Sequence, residues 1–262
     1  MKQLVEGWDY EEFKRRFYQK MGLELDRYKD KQMERRIRQL MQREGKATFN
    51  ELMQYILEDE KFKEKFMNYL TINTSEFFRD GKVFASLQGE ILPRLLHSFQ
   101  SLFIWSAGCS IGAESYSIAI LLDQLRALHR ARIVATDIDE KALSIARKGV
   151  YQEKLLDNTG PHLINKYFTK NKEGLAISEK LRKAVDFRSH NLFVDPVPGR
   201  CHLILCRNVF IYFKADTQAF LLEKFSSNLE QGGFLVIGSA EYISNPGRYR
   251  LKKLYPTIYE KL

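Results

Sequence analysis

The sequence predicts an α/β domain, a parallel sheet with helices on both faces, behind a small all-α domain. Three observations point there. Residues 9 to about 70 carry helical periodicity and no strand pattern. From Leu102 onward, short apolar runs alternate with helical stretches, as in parallel α/β folds. Between the first such run and its helix stand Gly108 and Gly112, where nucleotide-type cofactors are commonly received.

In the helical part, "YEEFKRRFYQKMG" ends at Gly22, and a second helix is expected from near Asp26 to Gly45. A third starts behind Thr48, with Glu51 completing a capping box, and "KFKEKFMNYLTI" continues the period. "NTSEFFRDGKVFASLQGEILPRLL" is a connector with a helix from Lys82 to about Leu96. The domain bounds expected are 1–75 for the helical domain, 76–97 for a linker with a helix, and 98–262 for the α/β domain.

Strands are expected in "LFIWSA", "RIVATDID", "VDFRSHNL", "HLILC" and "FLVIGSAE". "DTQAFLLEKFSSNLEQGG" reads as a helix ending at Gly232, and "LYPTIYEKL" as a last strand that Pro256 demotes to an edge. Residues 151–185 are polar and turn-rich, an insertion near the mouth of the sheet in which "EGLAISEKLRKAVDF" could form a hairpin.

Composition narrows the class. The chain is 44% hydrophobic and 29% charged, enough for a packed core. No apolar run approaches the roughly 18–20 residues that span a bilayer, so no membrane insertion is expected. The start lacks the apolar segment of a secretory signal, which makes a cytoplasmic protein the expectation. Cys109, Cys201 and Cys206 are not spaced as C-x-x-C, and no metal site is expected. A net charge of +9 suits an anionic partner without choosing among nucleic acid, acidic membrane and acidic protein.

Polar clusters fall at consecutive strand ends: Ser106–Glu114, Asp137–Asp139, Asn191 and Arg207–Asn208. In open α/β sheets ligands bind at the carboxyl ends of strands. An acidic residue after the second strand, here Asp137, can accept the ribose hydroxyls of an adenosine. NAD and S-adenosylmethionine both offer that ribose. Glu114 stands where a pyrophosphate would be repelled, while the ammonium of a methionine tail would be welcome. S-adenosylmethionine is therefore the cofactor expected.

Together "TINTSEFFRD", "WSAGCSIGAESYSIA", "ATDIDEKALSIARKGVY", "NLF" and "CRNVFIYF" resemble the chemotaxis receptor methyltransferases, the CheR family, from about residue 10 to the end. The resemblance implies an S-adenosylmethionine-dependent protein-glutamate O-methyltransferase that releases S-adenosylhomocysteine. It implies a Rossmann-like class I methyltransferase domain with an inserted small β-subdomain at 151–185, behind the all-α domain. By motif, Asn73, Ser75 and Arg79 fall at cofactor-contacting positions, as do Glu114, Asp137, Asn191, Leu192, Arg207 and Asn208. Arg79 and Tyr212 match residues at the methyl-transfer site. The common E-E-P-Y of the first loop is Ala113-Glu114-Ser115-Tyr116 here, with the second carboxylate kept. "FTKNKEGLAIS" lacks the extra glycine-containing turn of members that dock a receptor's C-terminal pentapeptide, so direct binding to the receptor body is expected.

The chemistry agrees with what is missing. A glutamate is already ionised at pH 7, with a free pKa of about 4.3, so methyl transfer to it needs no general base. No catalytic His or Cys constellation occurs.

In "YKDKQMERRIRQLMQREG", Met33, Ile37, Leu40 and Met41 form the apolar stripe. Lys31, Arg35 and Arg38 share an opposite face, with Arg36 toward its side. A solvated charged face is the plain reading; a docking surface for the acidic helical bundle of a chemoreceptor cytoplasmic region is what the resemblance favours. Nucleic acid is not the expected partner, because "CRNVFIYF" stands where base-N-methylating enzymes carry an N-P-P-Y-type loop. The alternatives are a methyltransferase of RNA or a small molecule, and a non-catalytic S-adenosylmethionine-binding sensor. A monomer is expected.

Overall fold

The computed structural model describes residues 8–71 and 75–262. They form two compact units, one within residues 1–72 together with Tyr212–Gln218, the other within 73–211 and 219–262.

The first unit is built on α1 (Tyr10–Met21), α2 (Asp30–Arg43), α3 (Phe49–Glu58) and α4 (Glu60–Thr71). Their apolar stripes meet in an aromatic core in which Phe13 stacks on Phe17 and on Phe49, at 5.6 and 5.0 Å between centroids. Thr48 caps α3 by accepting the Glu51 N–H. The Glu51 carboxylate reaches back to the N–H of Ala47, one residue before the cap.

Helix α2 starts at Asp30, four residues later than expected from Asp26. Leu25–Arg27 make a 3-10 turn, and Tyr28 is extended because it pairs in an antiparallel bridge with Phe213. A backbone engaged in such a bridge cannot enter the helix.

The second unit begins with one helical stretch in three parts: α5 (Gly81–Ser86), a π turn over Leu87–Ile91, and α6 (Leu92–Ser98). Then follow β1 (Leu102–Ala107), α7 (Ala113–Gln124), β2 (Ala131–Asp137), α8 (Glu140–Lys148), β3 (Val150–Tyr151), α9 (Pro161–Tyr167), β4 (Phe168–Asn171), β5 (Gly174–Ile177), α10 (Glu179–Ala184), β6 (Val185–Ser189), β7 (Cys201–Cys206), α11 (Ala215–Ser227), β8 (Leu229–Ile237), β9 (Leu251–Tyr255) and β10 (Ile258–Lys261).

The main sheet has seven strands in the order β6-β2-β1-β7-β8-β10-β9. The first five are parallel, while β10 runs antiparallel to both its neighbours, β8 and β9, so the sheet is mixed rather than wholly parallel. The order reverses between β1 and β7, which opens a crevice at their carboxyl ends. The strands flanking this crevice are almost wholly buried, with Ile104, Trp105, Leu203, Ile204 and Leu205 inaccessible to solvent.

Three local expectations are corrected. Helix α11 ends at Ser227 instead of Gly232, because the Asn228 carbonyl accepts the Cys201 N–H and Leu229 pairs beside β7. "LYPTIYEKL" is the end of one strand, a turn at Pro256 and Thr257, and a second strand, so Pro256 sits outside the ladder, where its missing N–H costs nothing. "EGLAISEKLRKAVDF" gives a strand, helix α10 and β6; the hairpin is instead β4 with β5. Asn171 makes that turn by accepting the N–H groups of Glu173 and Gly174. With β3, the two strands form a three-stranded sheet in the order β3-β5-β4.

No described helix is long and apolar enough to cross a membrane. The three cysteines are free and buried.

At the amino end of β7, His202 accepts the Phe103 N–H on Nδ1 at 2.9 Å and packs edge-on against Phe99. Burial holds its imidazole below the ordinary pKa. The unfolded chain therefore takes up the proton first, and stability is lost as pH falls below about 6.5. Between about pH 7.5 and 5.5 the unfolding midpoint should fall more steeply for the native protein than for His202→Gln. Parallel pH profiles of the two proteins would contradict this account.

Candidate functional site

The crevice between β1 and β7 gathers the strand-end clusters. Two glycines allow the first loop. Gly108 and Gly112 have φ of +77° and +83°. A Cβ on Gly112 would stand 2.8 Å from the Ala146 Cβ and from the Phe187 ring, and one on Gly108 would stand 2.8 Å from Val209. Neither position tolerates a side chain, for reasons of both conformation and space.

Four of the loop's backbone donors are used inside the protein. The N–H groups of Gly108 and Cys109 both reach the Thr136 carbonyl, at 2.8 and 2.9 Å, and that of Gly112 reaches Cys109. The Ser110 N–H donates to the Asp137 carboxylate at 2.7 Å. A pyrophosphate needs such donors free at the helix start. Here the first turn of α7 presents Glu114 instead.

Asp137, half-buried at the end of β2, also accepts the Asp139 N–H at 2.9 Å. Burial raises its pKa, and these backbone donors offset only part of that rise. Its carbonyl accepts the His190 N–H at 2.9 Å, tying the loop after β6 to it. In that loop the Asn191 side chain accepts the Phe193 N–H at 3.0 Å, and the Asp195 carboxylate takes the Asn191 N–H at 2.8 Å. Lys224 of α11 donates to the carbonyls of Leu192 and Asp195, at 2.7 and 2.5 Å.

The centre of the cluster is Arg207. Its side chain is 2% exposed. Nη1 donates to Glu114 at 3.1 Å, and Nη2 to Asp80 at 2.7 Å and to the Arg79 carbonyl at 2.8 Å. Glu114 also accepts from the Ser106 hydroxyl at 2.9 Å. One guanidinium thus faces two carboxylates.

The segment carrying Arg79 is fastened from both sides. Phe77 packs edge-on against Tyr151 and Phe168, and its N–H donates to the Leu155 carbonyl at 3.0 Å. Phe78 packs against Phe84 and donates its N–H to Ser117 at 3.0 Å. Phe78 and Asp80 are both left-handed, with φ of 52° and 62°. Such strain persists only where the surroundings over-determine it. Ser75 and Arg79 are half-buried. Asn73 lies outside the described residues.

Asn208 is half-buried and left-handed, with φ of 62°. Beneath it lies Glu241, 7% exposed, which accepts the Gly238 N–H at 2.6 Å and the Ile211 N–H at 3.3 Å. Burial raises its pKa, and the surrounding backbone donors lower it.

Glu114, Asp137, Asn191, Leu192, Arg207, Asn208, Ser75 and Arg79 thus all belong to the second unit. Tyr212 belongs to the first, where it shares with Tyr28, Lys29, Met33 and Arg36 a cavity of about 210 Å³. Lys31, Arg35 and Arg38 are exposed and line one shallow face of α2. Arg36 is half-buried, donates to the Tyr69 carbonyl and lies over the Tyr69 ring at 4.7 Å.

Three supporting residues escaped the sequence reading: Asp80, Glu241 and Lys224. Asp80 stands inside "NTSEFFRD" beside Arg79, which is a usable signal. Glu241 follows the end of β8, as Asp137 ends β2. Lys224 sits within α11 with no local sign of its task.

A reversed sheet order with acidic and amide groups at the strand ends, and a carboxylate in the first turn of α7, is the arrangement of a Rossmann-like class I methyltransferase that uses S-adenosylmethionine. The particular family follows from comparison. The model of the CheR methyltransferase all-alpha domain matches residues 8–71, and that of the CheR methyltransferase SAM binding domain matches residues 73–257. The chain belongs to the CheR methyltransferase family. The "Chemotaxis protein methyltransferase" of Listeria monocytogenes is 35% identical over 254 residues, 97% of each chain. That of Borreliella burgdorferi is 33% identical over 258 residues, covering 93% of this chain and 90% of its own. "Chemotaxis protein methyltransferase 1" of Pseudomonas aeruginosa is 30% identical over 263 residues, covering 95% and 96%.

Two substitutions should separate binding from architecture. Asp137→Asn should weaken S-adenosylmethionine binding by roughly 10- to 100-fold in calorimetry, through loss of a charged acceptor for hydroxyl groups. Arg207→Lys keeps the charge but cannot bridge three acceptors, and should cost about 2–3 kcal/mol, or roughly 5–10 °C in Tm. A Tm unchanged in Arg207→Lys would show that the buried bridge is not structural.

Proposed function

We propose that this enzyme transfers the methyl group of S-adenosylmethionine to glutamate side chains in the cytoplasmic region of a chemoreceptor, forming methyl esters. The observation that carries this reading is the half-buried Arg79, held by its own carbonyl on the buried Arg207. When bound, S-adenosylmethionine supplies a methyl carbon on a positively charged sulfur and is left as S-adenosylhomocysteine.

The chain's own residues have three tasks. Asp137 would accept the ribose hydroxyls, with Asn191 and Leu192 beside the base. Glu114 would face the methionine ammonium, with Ser75, Asn73, Arg207 and Asn208 completing the cofactor's surroundings. Arg79 and Tyr212 would hold the incoming glutamate by hydrogen bonds. That carboxylate arrives ionised, so no proton has to be removed. Alignment supplies the rate, and well-oriented reactants can remove on the order of 7–11 kcal/mol of barrier.

The partner is read from charge. Lys31 and Arg35 are exposed on α2, with Arg38 beside them and Arg36 at the Tyr212 cavity. Arg38 is partly neutralised by Glu34 at 2.8 Å. An acidic helical surface would meet this face directly, without a pentapeptide tether, and in the cytoplasm. The names of the relatives, which are chemotaxis protein methyltransferases, support the same substrate class.

With methyl-labelled S-adenosylmethionine and a purified receptor cytoplasmic fragment, label should appear on the receptor and be released as methanol by mild alkali. Base-stable label would refute glutamate esterification. Arg79→Ala should lower turnover by about 10²-fold or more at saturating substrate. Lys31→Glu with Arg35→Glu should raise KM for the receptor fragment and leave KM for S-adenosylmethionine unchanged, and added salt should act the same way. Equal KM values in the charge-reversed enzyme would exclude α2 as the docking face.

A further inference from the structure

Lys14, on α1, is 3% exposed although it is a lysine. Its ammonium is surrounded by Glu11 at 2.9 Å, Asp26 at 2.5 Å and Asp30 at 3.4 Å. The second oxygen of Asp30 holds Lys214 at 2.7 Å. Lys214 lies two residues after Tyr212.

The same stretch is stitched to the turn before α2 by its backbone. The Lys29 N–H donates to the Tyr212 carbonyl at 2.9 Å, and the Lys214 N–H donates to the Arg27 carbonyl at 3.0 Å. Between these two bonds Tyr28 and Phe213 form the antiparallel bridge, with their rings edge-on at 5.1 Å. Tyr212 is therefore held by its carbonyl, by its neighbour's ring and by the charge two residues on.

The ion pair has a directional logic. An exposed Lys–Asp pair holds little by itself, since water competes for both ends. Asp30 differs, because one of its oxygens faces an ammonium that is buried and cannot turn to water. A buried ammonium holds the carboxylates around it, since each one lost leaves less negative charge to balance it in a poorly solvated place. Asp30 is thereby a fixed anchor, and Lys214 is tied to it.

We propose that Lys14 and Asp30, acting through Lys214, are positioning residues that set the Tyr212 side chain for methyl transfer. This rests on the role given to Tyr212 above. None of the three needs to touch the substrate. Their effect is to narrow the range of orientations of Tyr212, which lowers kcat when lost without changing cofactor binding.

The test uses the full chain, with a purified receptor cytoplasmic fragment as methyl acceptor. Asp30→Asn keeps the shape and removes the charge. Lys214→Met removes the other end at a partly exposed site, and Lys214→Arg restores it, so the test stands even where Asp30→Asn does not fold. Amide hydrogen exchange at Lys29 and Lys214 reads the stitch directly and needs no activity. In Asp30→Asn and Lys214→Met, exchange at both amides should quicken by about tenfold or more. In the same proteins kcat should fall by roughly 5- to 20-fold, with KM for S-adenosylmethionine within about twofold. Lys214→Arg should recover both exchange and kcat. Unchanged exchange in Lys214→Met would overturn the proposal while leaving the role of Tyr212 standing. Quickened exchange with unchanged kcat would also overturn it. Tyr212→Phe is measured alongside, and native turnover in that variant would remove the role of Tyr212 and this proposal with it.

Discussion

The guanidinium of Arg207 is the contact on which the arrangement at the carboxyl ends of the strands depends. It lies at the carboxyl end of β7, where the strand order reverses, and it is almost fully withdrawn from water. A buried cation at that place must be satisfied, and only certain neighbours can do it. Glu114 from the first turn of α7, Asp80 and the Arg79 carbonyl provide the acceptors. A planar, five-donor fork matches three acceptors in fixed directions, which a lysine could not do. The geometry of Arg79 and Glu114 is thereby set from beneath, by a residue that itself stays inside.

This contact also explains the strain around it. Phe78 and Asp80 hold left-handed backbones that cost on the order of 1–3 kcal/mol each for residues of their kind. They are held there by Phe77 and Phe78, whose rings are locked among Tyr151, Phe168 and Phe84, and by the Asp80–Arg207 pair. The two phenylalanines and the salt bridge pull on successive residues of one short segment. The chain between them has little freedom left, and Arg79 is presented from that segment.

Cofactor choice follows from where backbone donors go. In the first loop they are used to bind the loop to β2 and to itself, through Thr136, Cys109 and Asp137. A loop with four of its N–H groups engaged inside the protein has fewer of them to offer phosphate oxygens. At the helix start stands a carboxylate, which repels a pyrophosphate and suits the cationic end of the proposed pose of S-adenosylmethionine. The helical unit works by a related economy of charge. Its one deeply buried ammonium among the described residues, that of Lys14, gathers three carboxylates, one of which, Asp30, also reaches the stretch following Tyr212.

Much of this could be read along the chain. Alternation of apolar runs with helical periods specified the strand-helix units, since each has to bury one face of its own sequence. The glycines, Glu114, Asp137 and the motif around Arg79 were visible because their chemistry is local: a turn that needs a left-handed backbone, an acid at a strand end. The errors came where a partner distant in sequence decided the outcome. Tyr28 looked helical until Phe213 paired with it, and the end of α11 was moved by the demand of β7 for a neighbour. The same holds for function. That Arg207 is buried, that Asp80, Glu241 and Lys224 support the site, and that Lys14 reaches Tyr212 through Asp30 and Lys214, only the tertiary structure could decide. Desolvation and charge pairing depend on which side chains meet in space, and one-dimensional spacing carries no record of that.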